Sequence, residues 1–183
     1  MRMTPASTLL CVIDVQERLL AAMPHASTIV SRAERLATGA GLLGVRSILT
    51  EQYPKGLGPT PASLAALLPP AESKMAFSCC GAPGFAAAVA VETGVAAAVL
   101  CGLETHVCIA QTALDLLATG MAVFIVVDAV TSRHQLDHEI ALRRLESAGA
   151  TLTTSEAVLF EWCRSAEHEQ FQAVRKLVLD RLS

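Results

Sequence analysis

Three side chains in this sequence could together break an amide-like bond: Asp14, Lys74 and Cys108. A thiolate is a strong nucleophile, an ammonium beside it stabilises its charge, and a carboxylate can take the thiol proton and later return one to a leaving amine. Residues 101–108, Cys-Gly-Leu-Glu-Thr-His-Val-Cys, turn an apolar run into a helix in very few positions. With Thr105 as the N-cap, Cys108 stands at the third helical position, where unpaired backbone N–H groups and the helix dipole favour a thiolate. Its pKa is then expected below the ordinary value of about 8.5. Each residue also has an ordinary alternative. A free cysteine is commonly a small buried hydrophobe, a strand-end aspartate caps a turn, and a single lysine is solvated.

The surrounding elements would bring these three residues to one place. Residues 8–13 form a continuous apolar run, as in a parallel strand covered on both faces, and Asp14 follows it directly. A helix is expected over 25–43, a strand over 45–50, a loop over 51–61, a helical turn over 64–68 and a short run over 74–78 opened by Lys74. After a turn at Cys79-Cys80-Gly81 and a helix over 83–92, the chain alternates regularly. Strands over 95–102, 122–128 and 150–153 are separated by helices over 105–118 and 135–147, with Gly120 and Gly149 just past the helix ends. A last helix is expected over 165–182. The rhythm predicts an α/β chain: a three-layer, Rossmann-like, doubly wound and mostly parallel sheet of six strands, in a single domain over 1–183. In such a sheet ligands bind at the carboxyl ends of the strands, where Asp14, Lys74 and Cys108 are expected.

Composition narrows the function. The chain of 183 residues is 52% hydrophobic, 17% charged and 4% aromatic, with a formal charge of -3. That balance gives no basic surface for nucleic-acid phosphates or anionic membranes and few rings on which bases could stack. Apolar runs are too short to cross a bilayer. Six cysteines without paired zinc spacing, two of them inside apolar strands, fit a cytoplasmic protein with free thiols better than a secreted disulfide framework. Sparse charge leaves much surface to hide, so a homo-oligomer is expected. His134 and His138 stand four apart but lack an evident third ligand, and no metal site is expected.

The motifs as a set resemble those of the isochorismatase-like cysteine hydrolases, which include nicotinamidase and N-carbamoylsarcosine amidohydrolase. The matching pieces are Val12-Ile13-Asp14-Val15-Gln16, Lys74-Met75-Ala76-Phe77-Ser78 and the Cys101 to Cys108 segment, in family order. The resemblance implies Cys108 as nucleophile, Asp14 as general acid or base and Lys74 as its charged partner. It further implies a non-proline cis peptide between Leu103 and Glu104, with backbone N–H groups of Glu104 and Cys108 facing the oxyanion. Gln16, Gln52, Phe77 and His106 are expected around a small-molecule substrate.

The segment Thr50-Glu51-Gln52-Tyr53-Pro54-Lys55-Gly56 lacks the ligand set of metal-dependent nicotinamidases, and Cys108 departs from isochorismatase proper. The chain looks most like the compact isochorismatase-domain-containing branch. The implied activity is cofactor-free hydrolysis of a small amide, carbamoyl or imide C–N bond through a covalent cysteine intermediate. Hydrolysis of another small polar bond, or a non-catalytic reactive-thiol or assembly role, are the alternatives.

Overall fold

The apolar run after Pro5 becomes strand β1 (Thr8–Ile13), every residue of it buried. The computed structural model describes residues 2–179, the side chain of Val91 excepted. The other strands are β2 (Arg46–Gln52), β3 (Glu72–Lys74), β4 (Ala97–Leu103), β5 (Ala122–Thr131) and β6 (Thr151–Thr153). The helices are α1 (Glu17–Leu20), α2 (Ala26–Leu43), α3 (Pro54–Leu57), α4 (Ala62–Ala65), α5 (Pro83–Ala88), α6 (Ala110–Ala118), α7 (Gln135–Ser147), α8 (Ser155–Cys163) and α9 (Phe171–Leu179).

The six strands form one sheet in the order β3-β2-β1-β4-β5-β6, and every pairing is parallel. Successive side chains of a strand point to opposite faces, so β1 feeds two apolar cores. Leu10 and Val12 pack with α2, α8 and α9, through Leu36, Ala40, Leu159 and Val174. Leu9, Cys11 and Ile13 pack on the other side with α5, α6 and α7, through Phe85, Ala113 and Leu145. Each fully buried leucine or isoleucine contributes roughly 1.5–3 kcal/mol, which is what holds the layers on the sheet.

The strand order reverses between β1 and β4, and at such a switch point the crossovers leave on opposite faces and open a crevice. Gly102 draws the two strand ends together there. It adopts a φ of 132°, and a side chain at this position would collide with the Ile13 carbonyl. The pairing of β4 with β5 also shifts register between Leu100 and Gly102. This irregularity redirects the chain from β4 toward the site.

Several elements differ from their expected form. Lys74 closes a strand instead of opening a run, because Glu72 to Lys74 pair with Thr50 to Gln52. The helix expected over 83–92 ends at Ala88, and β5 continues past Asp128 to Thr131. α8 lies outside the expected elements: Val158, Leu159, Trp162 and Cys163 are buried at helical spacing, but the outward face carries apolar Ala157 and Phe160, which blurs the amphipathic pattern. The last helix starts at Phe171, not Ser165. Ser165 does accept from the Glu167 N–H, at 3.1 Å, but the chain then runs through turns. The expected end of that helix at Leu182 lies outside the described residues. Among the described residues no helix is long and apolar enough to cross a membrane.

Candidate active site

Three adjacent strands deliver polar side chains to one edge. Asp14 follows β1, Thr50 and Gln52 close β2, and Lys74 closes β3 in register with Gln52. Asp14 takes a left-handed conformation, φ 54°, that a non-glycine residue adopts at some cost. Its N–H nonetheless donates to the Thr50 carbonyl at 3.1 Å, so the strand pairing holds the residue in place.

The carboxylate is held from two sides. Lys74 Nζ donates to Asp14 Oδ2 at 2.7 Å and Thr50 Oγ1 donates to Oδ1 at 2.8 Å. The ammonium also donates to Gln52 Oε1 at 2.8 Å and to the Phe77 carbonyl at 2.9 Å, with the Ala76 carbonyl at 3.3 Å. Both side chains of the ion pair are fully buried. Burying two charges is tolerable only with this density of partners, and removing one member strands the other.

Cys108 lies on a π-type turn (Thr105–Ile109) between β4 and α6. It is almost fully buried, and the charge of Asp14 acts on its thiol. Its pKa stands well above the ordinary thiol value, first because of burial and then because of the charge of Asp14; Lys74 pulls the other way. The expected low-pKa thiolate is therefore corrected. Asp14 already neutralises the ammonium, and the thiol sits in a dry site under the charge of a carboxylate. The turn also begins one residue earlier than expected, with Glu104 as N-cap.

The Leu103–Glu104 bond is a second correction: no peptide among the described residues is cis. Glu104 turns the chain by adopting φ 58° instead, another left-handed non-glycine residue at this edge.

The remaining expected residues separate into distinct positions. The Gln16 side chain clasps backbone, donating to the Gln52 and Gly58 carbonyls at 3.1 and 2.7 Å and accepting from the Gln52 N–H at 2.8 Å. Gln52 bridges Lys74 and the Met75 carbonyl. Phe77 lends its carbonyl to Lys74 while its residue stays 52% exposed. His106 is partly exposed, with Nδ1 3.1 Å from Ser132 Oγ. His138, paired with Thr105 Oγ1 at 3.0 Å, is pushed to a lower pKa by burial. No group of three or more metal-ligating side chains occurs among the described residues.

Two members of the cluster stand outside the expected site residues. Thr50 was placed only as a strand end, although its register beside Ile13 puts its hydroxyl on Asp14. Cys79, expected in a plain turn with pocket lining as the alternative because its loop follows Lys74, has its sulfur 3.6 Å from Thr50 Oγ1 and its N–H donating to Thr112 Oγ1 at 2.9 Å. Burial and the charge of Asp14 push its thiol up to about 11.

Known proteins are similar to this chain in sequence and fold. The isochorismatase domain profile matches residues 8–157. Isochorismatase domain-containing protein 2 of Bos taurus is 44% identical over 177 residues, covering 97% of this chain and 85% of its own length. A Caenorhabditis elegans structure named MAR1 ribonuclease superposes with a TM-score of 0.93 at 38% identity, covering 100% of this chain and 95% of its own. YcaC from Pseudomonas aeruginosa, solved with hexane-2,5-diol and covalent acrylamide, superposes with a TM-score of 0.88 at 25% identity, covering 97% of this chain and 92% of its own.

Proposed function

This chain belongs to the isochorismatase family, and we propose that it is a cofactor-free cysteine hydrolase of a small amide, carbamoyl or imide compound. The observation that carries this reading is a buried thiol under the charge of a carboxylate that a buried ammonium fixes. A resting thiolate is unnecessary when a base near the thiol takes its proton as the sulfur attacks.

In the proposed cycle Asp14 takes the Cys108 proton as the sulfur attacks the substrate carbonyl carbon. Backbone N–H groups of Glu104 and Cys108 receive the charge that develops on the oxygen. The C–N bond breaks as Asp14 gives its proton to the leaving nitrogen, and an acyl thioester remains on Cys108. Water then attacks the thioester while Asp14 takes a proton from it. The sulfur leaves, regains that proton from Asp14, and the acid product departs. Lys74 stays protonated throughout and holds Asp14 in place. YcaC, which carries covalent acrylamide, supports a site able to take a small amide next to a nucleophile.

A panel of nicotinamide, carbamoylated amino acids, small aliphatic amides and cyclic imides tests the proposal, with amine or ammonia release as the readout. At least one class should turn over, with the activity surviving EDTA because no step draws on a metal. An RNA oligonucleotide belongs in the panel because the C. elegans relative is named a ribonuclease. With a charge of -3 this chain has little to hold phosphates, and the RNA should remain intact. Cleavage of RNA with no amide hydrolysed would overturn the reading. A Cys108 that alkylates readily in a protein inert to the whole panel would favour the reactive-thiol role.

A further inference from the structure

Three consecutive residues, 104–106, fasten the turn that carries Cys108 to the β5–α7 connection and the first turn of α7. Glu104 Oε1 accepts from Arg133 Nε, Thr105 Oγ1 meets His138 Nδ1 at 3.0 Å, and His106 Nδ1 meets Ser132 Oγ at 3.1 Å. α7 packs more extensively on this turn than on β6 or α6. The nucleophile's turn thus rests on α7 as well as on the sheet.

Glu104 is the costly member of this set. Its side chain is only 7% exposed, whereas that of Arg133 is 52% exposed, so the pair is a buried carboxylate held by a cation reaching in from the surface. Glu104 Oε2 has no hydrogen-bond partner. His106 Nδ1 stands 3.3 Å from it, close enough for attraction between charges, but that nitrogen satisfies hydrogen-bond geometry at Ser132 instead. Asp137 Oδ2 lies 3.9 Å from the other ring nitrogen. A buried carboxylate with unused acceptor capacity, on a residue with left-handed backbone, persists only where its surroundings enforce it.

We infer that Glu104 is a positioning residue for the nucleophile. Its carboxylate, gripped by Arg133 and flanked by His106, sets the angle at which the turn leaves β4. That angle keeps the Cys108 sulfur near Asp14 and the backbone N–H groups of the turn toward the substrate carbonyl. The inference rests on the reading of Cys108 as nucleophile.

Acrylamide tests the inference without requiring turnover. The Cys108 sulfur bonds to its β-carbon, the double bond opens, and the thiol proton, relayed by Asp14, ends on the α-carbon while the amide oxygen carries charge in between. Acrylonitrile undergoes the same addition without a carbonyl oxygen to orient. Inactivation kinetics, with the adduct located by peptide mass spectrometry, would be measured for Glu104→Gln, Arg133→Gln, the double variant and Arg133→Lys. Each single change should lower the maximal acrylamide rate by about 10-fold with half-saturation within about 2-fold, because orientation is lost more than binding. The acrylonitrile rate should stay within about 2-fold, and the double variant should be no slower than either single one. Arg133→Lys should recover much of the acrylamide rate.

Acrylamide rates unchanged in both single variants, acrylonitrile rates falling in step, or losses that multiply in the double variant would each overturn the inference. So would a native protein that forms no acrylamide adduct on Cys108. Failure of the hydrolase reading is distinguishable: it appears as amide turnover that survives Cys108→Ala, whatever these addition rates show.

Discussion

Replacing Cys108 by alanine should lower turnover of the best amide substrate by at least about 10³-fold, since the attacking atom itself is lost and water must act unaided. The fold should survive. The sulfur sits in an apolar cluster with Ile109, Ala110 and Ala113, and losing one buried atom there costs little beside the packing that remains. Cys163→Ala is the matched control, because that thiol is equally buried on α8, across the sheet from the site. Its turnover should stay within about 2-fold of the native value, as expected for a change distant from the chemistry. Steady-state release assays on both variants, beside thermal melts, separate the two effects.

Asp14→Asn should lower turnover by about 10²–10⁴-fold, the range for a general acid or base in contact with the reacting atoms. An amide has nearly the carboxylate's shape but cannot accept the thiol proton or return one to the leaving nitrogen. The change also leaves Lys74 buried with Gln52 and two carbonyls but no counter-charge. Breaking a buried pair from one side costs roughly 3–5 kcal/mol, so this variant should melt at lower temperature. The double variant Asp14→Asn/Lys74→Met removes both charges and should regain much of that stability. It should regain none of the turnover. Recovery of turnover alongside stability would mean that the pair serves folding alone, and that some other group moves the proton.

The parts of this molecule that were legible in sequence are those in which one local signal dominates. α7 occupies Gln135–Ser147 as its periodicity predicts, ending just before Gly149. β1 reads as a doubly covered strand because every one of its residues is buried between two helical layers. α8 was hidden by apolar residues on its exposed face, Ala157 and Phe160, although Thr154, whose side chain accepts from the Ala157 N–H at 3.3 Å, and Glu156 in the first turn mark its start.

At the site, residue types and chain order pointed to Asp14, Lys74 and Cys108, but not to their electrostatics. A helix start and a nearby ammonium argue for a thiolate when considered singly. Whether they prevail depends on where Asp14 stands and how dry the thiol is, and both depend on three-dimensional packing. Thr50 and Cys79 were illegible for a similar reason. A hydroxyl and a thiol carry no pattern of their own, and their place beside Asp14 follows from strand register and from the Cys79 link to Thr112. The assumed cis bond came from resemblance, whereas the chain here turns through the left-handed backbone of Glu104.

The central claim, an acyl group carried on Cys108, is tested most directly by partitioning between water and hydroxylamine. Two substrates with the same acyl group and different leaving amines would be hydrolysed in the presence of hydroxylamine, and the ratio of hydroxamate to acid measured. A shared acyl-cysteine intermediate forgets its leaving group, so the ratio should be the same for both substrates even where their overall rates differ. A ratio that changes with the leaving amine would contradict the covalent account.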